Sequence, residues 1–283
     1  MTALYQLATP LPEAERNVRI YRGELIVFRG FDAMARLTDQ LRAHCVSHLG
    51  SEPTCVHQWM SSMEIEQATE ALRAAIRKDS DMDLAWCQVL SAIHTDLDET
   101  YGDGGVLRVQ PPCSGAKGER LEPLRAHRDT WGSNLPAQIN WWAPLFDTTP
   151  ERTLALFPGS FTRIIDNDSA DWDFQDMVQA HRAKNVSGYP LLPTATKAPS
   201  WDDALVISLL PGDLLCFSGA HLHASVPNTT SVTRLSFETR TVNRSDMAAG
   251  SGAPNVDGSA PFMTPQIFRH LKSGRKLGEL ERK

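Results

Sequence analysis

His127 and Asp129 stand two residues apart, followed at once by Thr130, Trp131 and Gly132. On extended backbone an imidazole and a carboxylate at i and i+2 project to one side, as two corners of a metal site would. Two ligands do not hold a metal, so the rest of the chain must supply a third. The stretch Pro211–Val242 offers candidates, because His221 and His223 share a strand face with Ser225. In the next run Arg234 shares a face with Ser236, Glu238 and Arg240. An arginine buried inside a barrel needs an anion. A ligand carboxylate would meet it in two-pronged fashion, with the Ser236 hydroxyl adding a hydrogen bond.

The elements that must position these residues are legible in outline. Glu24–Phe28 is a short apolar run between Gly23 and Gly30, which predicts a buried strand. Asp32 then caps a helix with Met34, Leu37, Leu41 and Cys45 at helical spacing, stopped by Gly50. Ser61 and Glu64 form a capping-box pattern opening a second helix to about Lys78. A third is predicted over Asp83–Glu99. His44, His48 and His94 lie on these helices without a partner pattern and read as surface or core-edge residues.

From Gly105 onward the texture is of short strands between Gly, Pro and Asp clusters. The runs are Val106–Gln110, Leu121–His127, Ala137–Leu145, Thr153–Phe157, Ala204–Leu209, Asp213–Ser218, His221–Val226 and Thr233–Val242. Such a series, with tight turns at Pro158–Ser160 and Pro211–Asp213, predicts a double-stranded β-helix, or jelly-roll barrel. The fold class expected is mainly β with α, the barrel buttressed by N-terminal helices in a single domain spanning 1–283. Residues 1–104 form the N-terminal strand and helices, 105–242 the core, 161–203 an insertion or lid, and 243–283 a linker, short helix and solvated tail.

Composition excludes some functions. The chain has 283 residues, 41% of them hydrophobic, and a net charge of −6, which argues against nucleic acid or an anionic membrane as partner. No apolar run approaches the roughly 20 residues of a membrane span. The start lacks the basic and long apolar stretches of a signal peptide. Five scattered cysteines without a CxxC pair read as reduced thiols of a cytoplasmic protein. Oligomeric state is not indicated.

The residues carry a resemblance. His127-Arg128-Asp129, a late-strand His223, and Arg234 eleven positions on resemble the iron(II)/2-oxoglutarate-dependent oxygenases. FPGS (Phe157–Ser160), PGD, HASVPN (His223–Asn228), RLS (Arg234–Ser236) and Arg29-Gly30-Phe31 are similar to the phytanoyl-CoA-dioxygenase-like branch. The resemblance implies iron(II) on His127, Asp129 and His223, with 2-oxoglutarate and dioxygen as co-substrates and the far carboxylate of 2-oxoglutarate on Arg234 and Ser236. Succinate and carbon dioxide would be released as the substrate is oxidised. A carboxylate at Asp129 favours hydroxylation, desaturation or a related oxidation over chlorination. Neutral imidazoles and an ionised Asp129 are needed, so activity should fall at acid pH.

Two other readings stand beside it. His221 and His223 can be taken as the HxH pair of a cupin-type metalloenzyme, an isomerase or a dioxygenase without co-substrate, although no acid follows until Glu238. A non-catalytic jelly-roll binding module is the other. Gln138, Asn140 and Trp142 alternate along one face of their strand, and the two amides are expected to line the site toward 2-oxoglutarate or a bound water. Trp131, Arg108 and Trp142 are candidates for the substrate pocket, and Arg128 is expected to point away from the metal into a salt bridge. Arg108, Arg125, Arg128, Arg163 and Arg240 could make the mouth basic, suiting an acidic or zwitterionic small molecule such as a sugar acid or an amino-acid-like substrate.

Overall fold

The computed structural model describes residues 4–113, 121–182 and 189–279. Its strands form two sheets. The larger runs in the order β1 (Leu4–Leu7), β2 (Leu25–Phe28), β8 (Leu214–Ser218), β5 (Gln138–Pro144), β10 (Arg234–Asn243), β3 (Thr100–Gly102) and β11 (Arg269–His270). A further strand, β4 (Val106–Gln110), also pairs with β10. Among the described residues only β1 and β2 pair in parallel; the other pairings of this sheet are antiparallel. The smaller sheet is β7 (Leu205–Ile207), β6 (Leu154–Leu156) and β9 (His223–Ser225).

Alternation along the central strands sorts their side chains onto two faces. Ile139 and Trp141 of β5, Cys216 of β8, and Leu235 and Phe237 of β10 pack against three helices. These are α2 (Asp32–Leu49), α3 (Ser62–Lys78) and α4 (Ser80–Ala92), the short α1 (Glu13–Tyr21) preceding them. Trp86 of α4 stands edge-on to Trp141 and Phe237, with ring centroids 5.9 and 5.5 Å away. The opposite face carries Leu25, Val27, Trp142, Leu215 and Phe217, which meet Leu154, Leu156 and Ile207 of the small sheet. The order of layers is therefore helices, large sheet, small sheet. Gln138 and Asn140 of β5 and Arg234, Ser236, Glu238 and Arg240 of β10 face the inter-sheet layer.

The helices follow their sequence signals closely. The Ser61–Glu64 capping box forms as expected. At α2 the cap position is Phe31, and Asp32 sits in the first turn, where a carboxylate faces the positive end of the helix. The run Asp83–Glu99 is corrected to Ser80–Ala92, because His94 takes a left-handed φ of 61° that ends the helix. Thr100–Gly102 beyond it is strand. The tail is also corrected: β11 pairs with β3, and Phe268 and Leu277 are buried in the helical core. Of that tail, 280–283 lie outside the described residues. The insertion carries α6 (Phe174–Arg182), and its Ala195 packs on Ala126 and Trp131.

No described helix is long and apolar enough to cross a membrane. All five cysteines are free, with Cys45 and Cys216 buried and Cys113 exposed. Burial pushes the Cys45 and Cys216 thiols from 9.0 up to about 12. A thiol raised in the folded state contributes stability that is complete below the unfolded value near 9 and is lost as pH rises toward 12. At pH 8 a thiol reagent should therefore label Cys113 in the native protein and reach Cys216 only on unfolding, as mass spectrometry reads directly. Prompt native labelling of Cys216 would contradict the buried position of β8. Phe237→Ala should cost about 3–5 kcal/mol in urea denaturation. Leu84→Ala, on the exposed side of α4, should stay within about 0.5 kcal/mol. Equal losses would be inconsistent with this layering.

Candidate metal centre

His127 and His223 lie directly opposite one another, each amide donating to the other's carbonyl at 3.0 and 2.9 Å. Opposed residues of an antiparallel pair project to one face. Their ring centroids are 4.2 Å apart. This single bridge is the only ladder pairing that Leu121–His127 makes, so the strand expected there is corrected to an irregular approach. Asp129 does not continue an extended alternation either. With φ −63° and ψ −30° it already belongs to the turn entering α5 (Thr130–Ser133), and its carboxylate reaches back beside the two rings.

One ligand-type atom from each of His127, Asp129 and His223 lies within 4.8 Å of the others. Asp129 Oδ1 is 3.4 Å from His127 Nε2 and 4.0 Å from His223 Nε2. Neighbouring carbonyls set the tautomers. His127 Nδ1–H donates to the Arg125 carbonyl at 2.8 Å, and His223 Nδ1–H to that of His221 at 2.9 Å. A carbonyl oxygen only accepts, so in the neutral rings both Nε2 lone pairs are turned to the shared space. Burial lowers His223 to about 4, which keeps it neutral at pH 7.

The second oxygen of Asp129 is fully engaged. Oδ2 accepts from Arg240 Nε and Asn140 Nδ2, both at 2.7 Å, and from Gln138 Nε2 at 3.3 Å. Burial alone would raise this carboxyl, but the Arg240 guanidinium beside it holds it well below the usual carboxylate range. Arg240 is anchored from behind by Asp103, whose oxygens accept from its Nη1 at 2.8 Å and its amide at 2.9 Å.

On the same strand face, Arg234 is buried with two neutral partners. Nη1 donates to the Thr153 carbonyl at 2.7 Å and Nη2 to Ser225 Oγ at 3.4 Å. Among the described residues its Nε and the Ser236 hydroxyl have no partner. The nearest acid along the strand, Glu238, is held by Arg108 Nε at 2.7 Å. Burial drives Arg234 down to about 10, still charged at pH 7. A small pocket between the sheets is lined by His127, Asp129, His223, Arg234, Arg108 and Trp142, among others.

Several expectations change in detail. Gln138 and Asn140 point their amide nitrogens at Asp129, whereas the sequence suggested they would face the co-substrate. Trp131 is fully buried behind the site, its indole donating to Asp257 Oδ1 at 2.7 Å, and it does not line the cavity. His221 lends its carbonyl to His223, but its own ring is turned away. Its Nε2–H donates to the Gly23 carbonyl at 3.0 Å and the ring packs on Phe161. The HxH pairing of His221 with His223 is thus absent from the cluster. Arg128 points away from the cluster, as expected, and pairs with Asp257 at 3.1 Å.

The basic mouth is corrected as well. Arg108 and Arg240 reach the cavity already paired with acids, and Arg125 lines a separate apolar groove with Phe157 and Trp201. The residues missed by sequence reasoning are Asp103 and Asp257. Asp103 sits in a Gly-rich turn and Asp257 in a stretch that reads as linker, so neither carried a local signal. Arg240 did carry one, its period-two register with Arg234.

No protein-family model matches the chain, and no curated protein does. Solved structures do. EvdO2 from Micromonospora carbonacea var. aurantiaca is similar over 92% of this chain and 99% of its own, at 14% identity and a TM-score of 0.52. EvdO2 complexed with 2-oxoglutarate is similar over 91% and 99%, at 14% identity and 0.51. The present chain shares the fold of EvdO2, a protein that holds 2-oxoglutarate.

Proposed function

We propose that the chain is a non-haem iron(II)/2-oxoglutarate-dependent oxygenase, a hydroxylase of a polar small molecule. The carrying observation is Arg234, a buried guanidinium with an orphaned Nε and no acid bonded to it among the described residues, in one cavity with a His–Asp–His cluster. Two imidazole nitrogens and one carboxylate oxygen suit iron(II) and leave positions open for co-substrates. The orphaned Ser236 hydroxyl beside Arg234 suits the far carboxylate of 2-oxoglutarate. The phytanoyl-CoA-dioxygenase-like wording of FPGS, HASVPN and RLS, and the reading of the two packed sheets as a double-stranded β-helix, support the same class.

When bound, iron and 2-oxoglutarate supply the oxidising chemistry, dioxygen being consumed as the oxo acid is converted to succinate and carbon dioxide. The chain's part is to prepare the place. The Arg125 and His221 carbonyls orient the imidazoles, and Arg240 keeps Asp129 ionised. Arg234 and Ser236 would hold the far carboxylate of the co-substrate. Phe217 and Trp142 wall the cavity against water. EvdO2 with its 2-oxoglutarate supplies a precedent for the same co-substrate in this fold.

Anaerobic addition of iron(II) and 2-oxoglutarate should give the weak visible charge-transfer band of the chelate. Arg234→Ala should weaken 2-oxoglutarate binding by roughly 2–5 kcal/mol and remove the band at moderate concentration. A missing band in the parent protein, or an unchanged one in Arg234→Ala, would sink the reading. Asp129→Ala should abolish or greatly weaken iron binding, whereas His221→Ala should act mainly on stability. Equal loss of iron from both variants would reinstate His221 as a ligand. Succinate release measured over a panel of polar metabolites would identify the substrate.

A further inference from the structure

Asp129 uses its two oxygens differently, and the difference is built by residues that bond only one of them. Oδ1 faces both imidazole Nε2 atoms, while Oδ2 takes Arg240 Nε, Asn140 Nδ2 and Gln138 Nε2. Three donors use up the lone pairs of Oδ2. Arg240 is itself held on its far side. Asp103 accepts from its Nη1 and its amide, and also from the Thr239 hydroxyl at 3.1 Å. The guanidinium is thus fixed between two carboxylates and cannot follow Asp129 if the latter turns. Asp103 is as buried as Asp129 and does not line the cavity.

We infer that Arg240, braced by Asp103, is a positioning residue that restricts Asp129 to one metal-ligating oxygen and so keeps a coordination position free for 2-oxoglutarate. This rests on the function proposed above. Its chemistry makes an unusual demand on the outcome. A positive charge beside a metal site opposes cation binding, so removing Arg240 relieves repulsion as well as freeing Oδ2. Metal affinity should hold or rise when Arg240 is lost, while co-substrate affinity falls. A residue that merely supported the local structure would lower both or neither.

Cobalt(II), which has a readable visible spectrum and is inert to turnover, is the probe. The parent protein should bind cobalt and then 2-oxoglutarate, each addition changing the spectrum. Arg240→Leu should bind cobalt at least as tightly as the parent, with an altered spectrum in the absence of co-substrate. Its 2-oxoglutarate affinity should be about tenfold or more weaker. Asp103→Asn touches neither cavity nor cluster, so it should move 2-oxoglutarate affinity in the same direction by less, without loss of cobalt. That variant separates bracing from direct contact of Arg240 with the co-substrate, and it decides alone if Arg240→Leu does not fold by thermal melting. Parent-like 2-oxoglutarate affinity in both variants, or loss of cobalt in step with it, overturns the inference. If the parent binds cobalt but never 2-oxoglutarate, the proposed function fails instead.

Discussion

A carboxylate buried between two sheets is the group around which this molecule is arranged. Left alone, the Asp129 charge would be among the costliest features of the interior, since desolvation exceeds what an isolated imidazole returns. Arg240 meets that cost and is in turn balanced by Asp103, giving a chain of alternating charges across β10. The same strand carries Arg234 six residues earlier, at the same period-two register. One strand therefore sets both the charge state of the cluster and the buried guanidinium beside it.

The strand can do this because its other face is so different. Leu235 and Phe237 anchor β10 to the helices through Trp86, so the polar set cannot slip out of the inter-sheet layer without exposing an aromatic core. β5 obeys the same rule, with Ile139 and Trp141 outward to the helices and Gln138, Asn140 and Trp142 inward. The polar cluster thus rests on the apolar one. The helices contribute no ligand, yet they fix the register on which all the ligating geometry depends.

Much of this was legible in the residues themselves. Period-two alternation located β4 and the central part of β5, β8 and β10, and the histidine and aspartate types named the cluster. What alternation could not give was reach. It placed Gln138 and Asn140 on the correct face but not against Asp129, because a side chain's partner depends on a turn several residues away. Asp129 itself lies off the strand, so its proximity to His223 came from a turn and not from the spacing that suggested it. Asp103 and Arg240 are 137 residues apart and meet only through the pairing of β3 with β10. The early end of α4 came down to one left-handed residue, His94, which no periodicity announces.

Asp257 has a consequence for how the site comes into being. It receives the Arg128 Nε and the Trp131 indole, on either side of Asp129, and also the Ile165 amide at 3.0 Å. Arg128, enclosed by the carbonyls of Ser160, Phe161, Arg163 and Ala220, has no other acid among its partners. During synthesis the His127–Asp129 turn emerges well over a hundred residues before that acid does. The Arg128–Asp257 pair can form only once that late acid has been made, so the surroundings of the cluster are completed by residues from both halves of the chain.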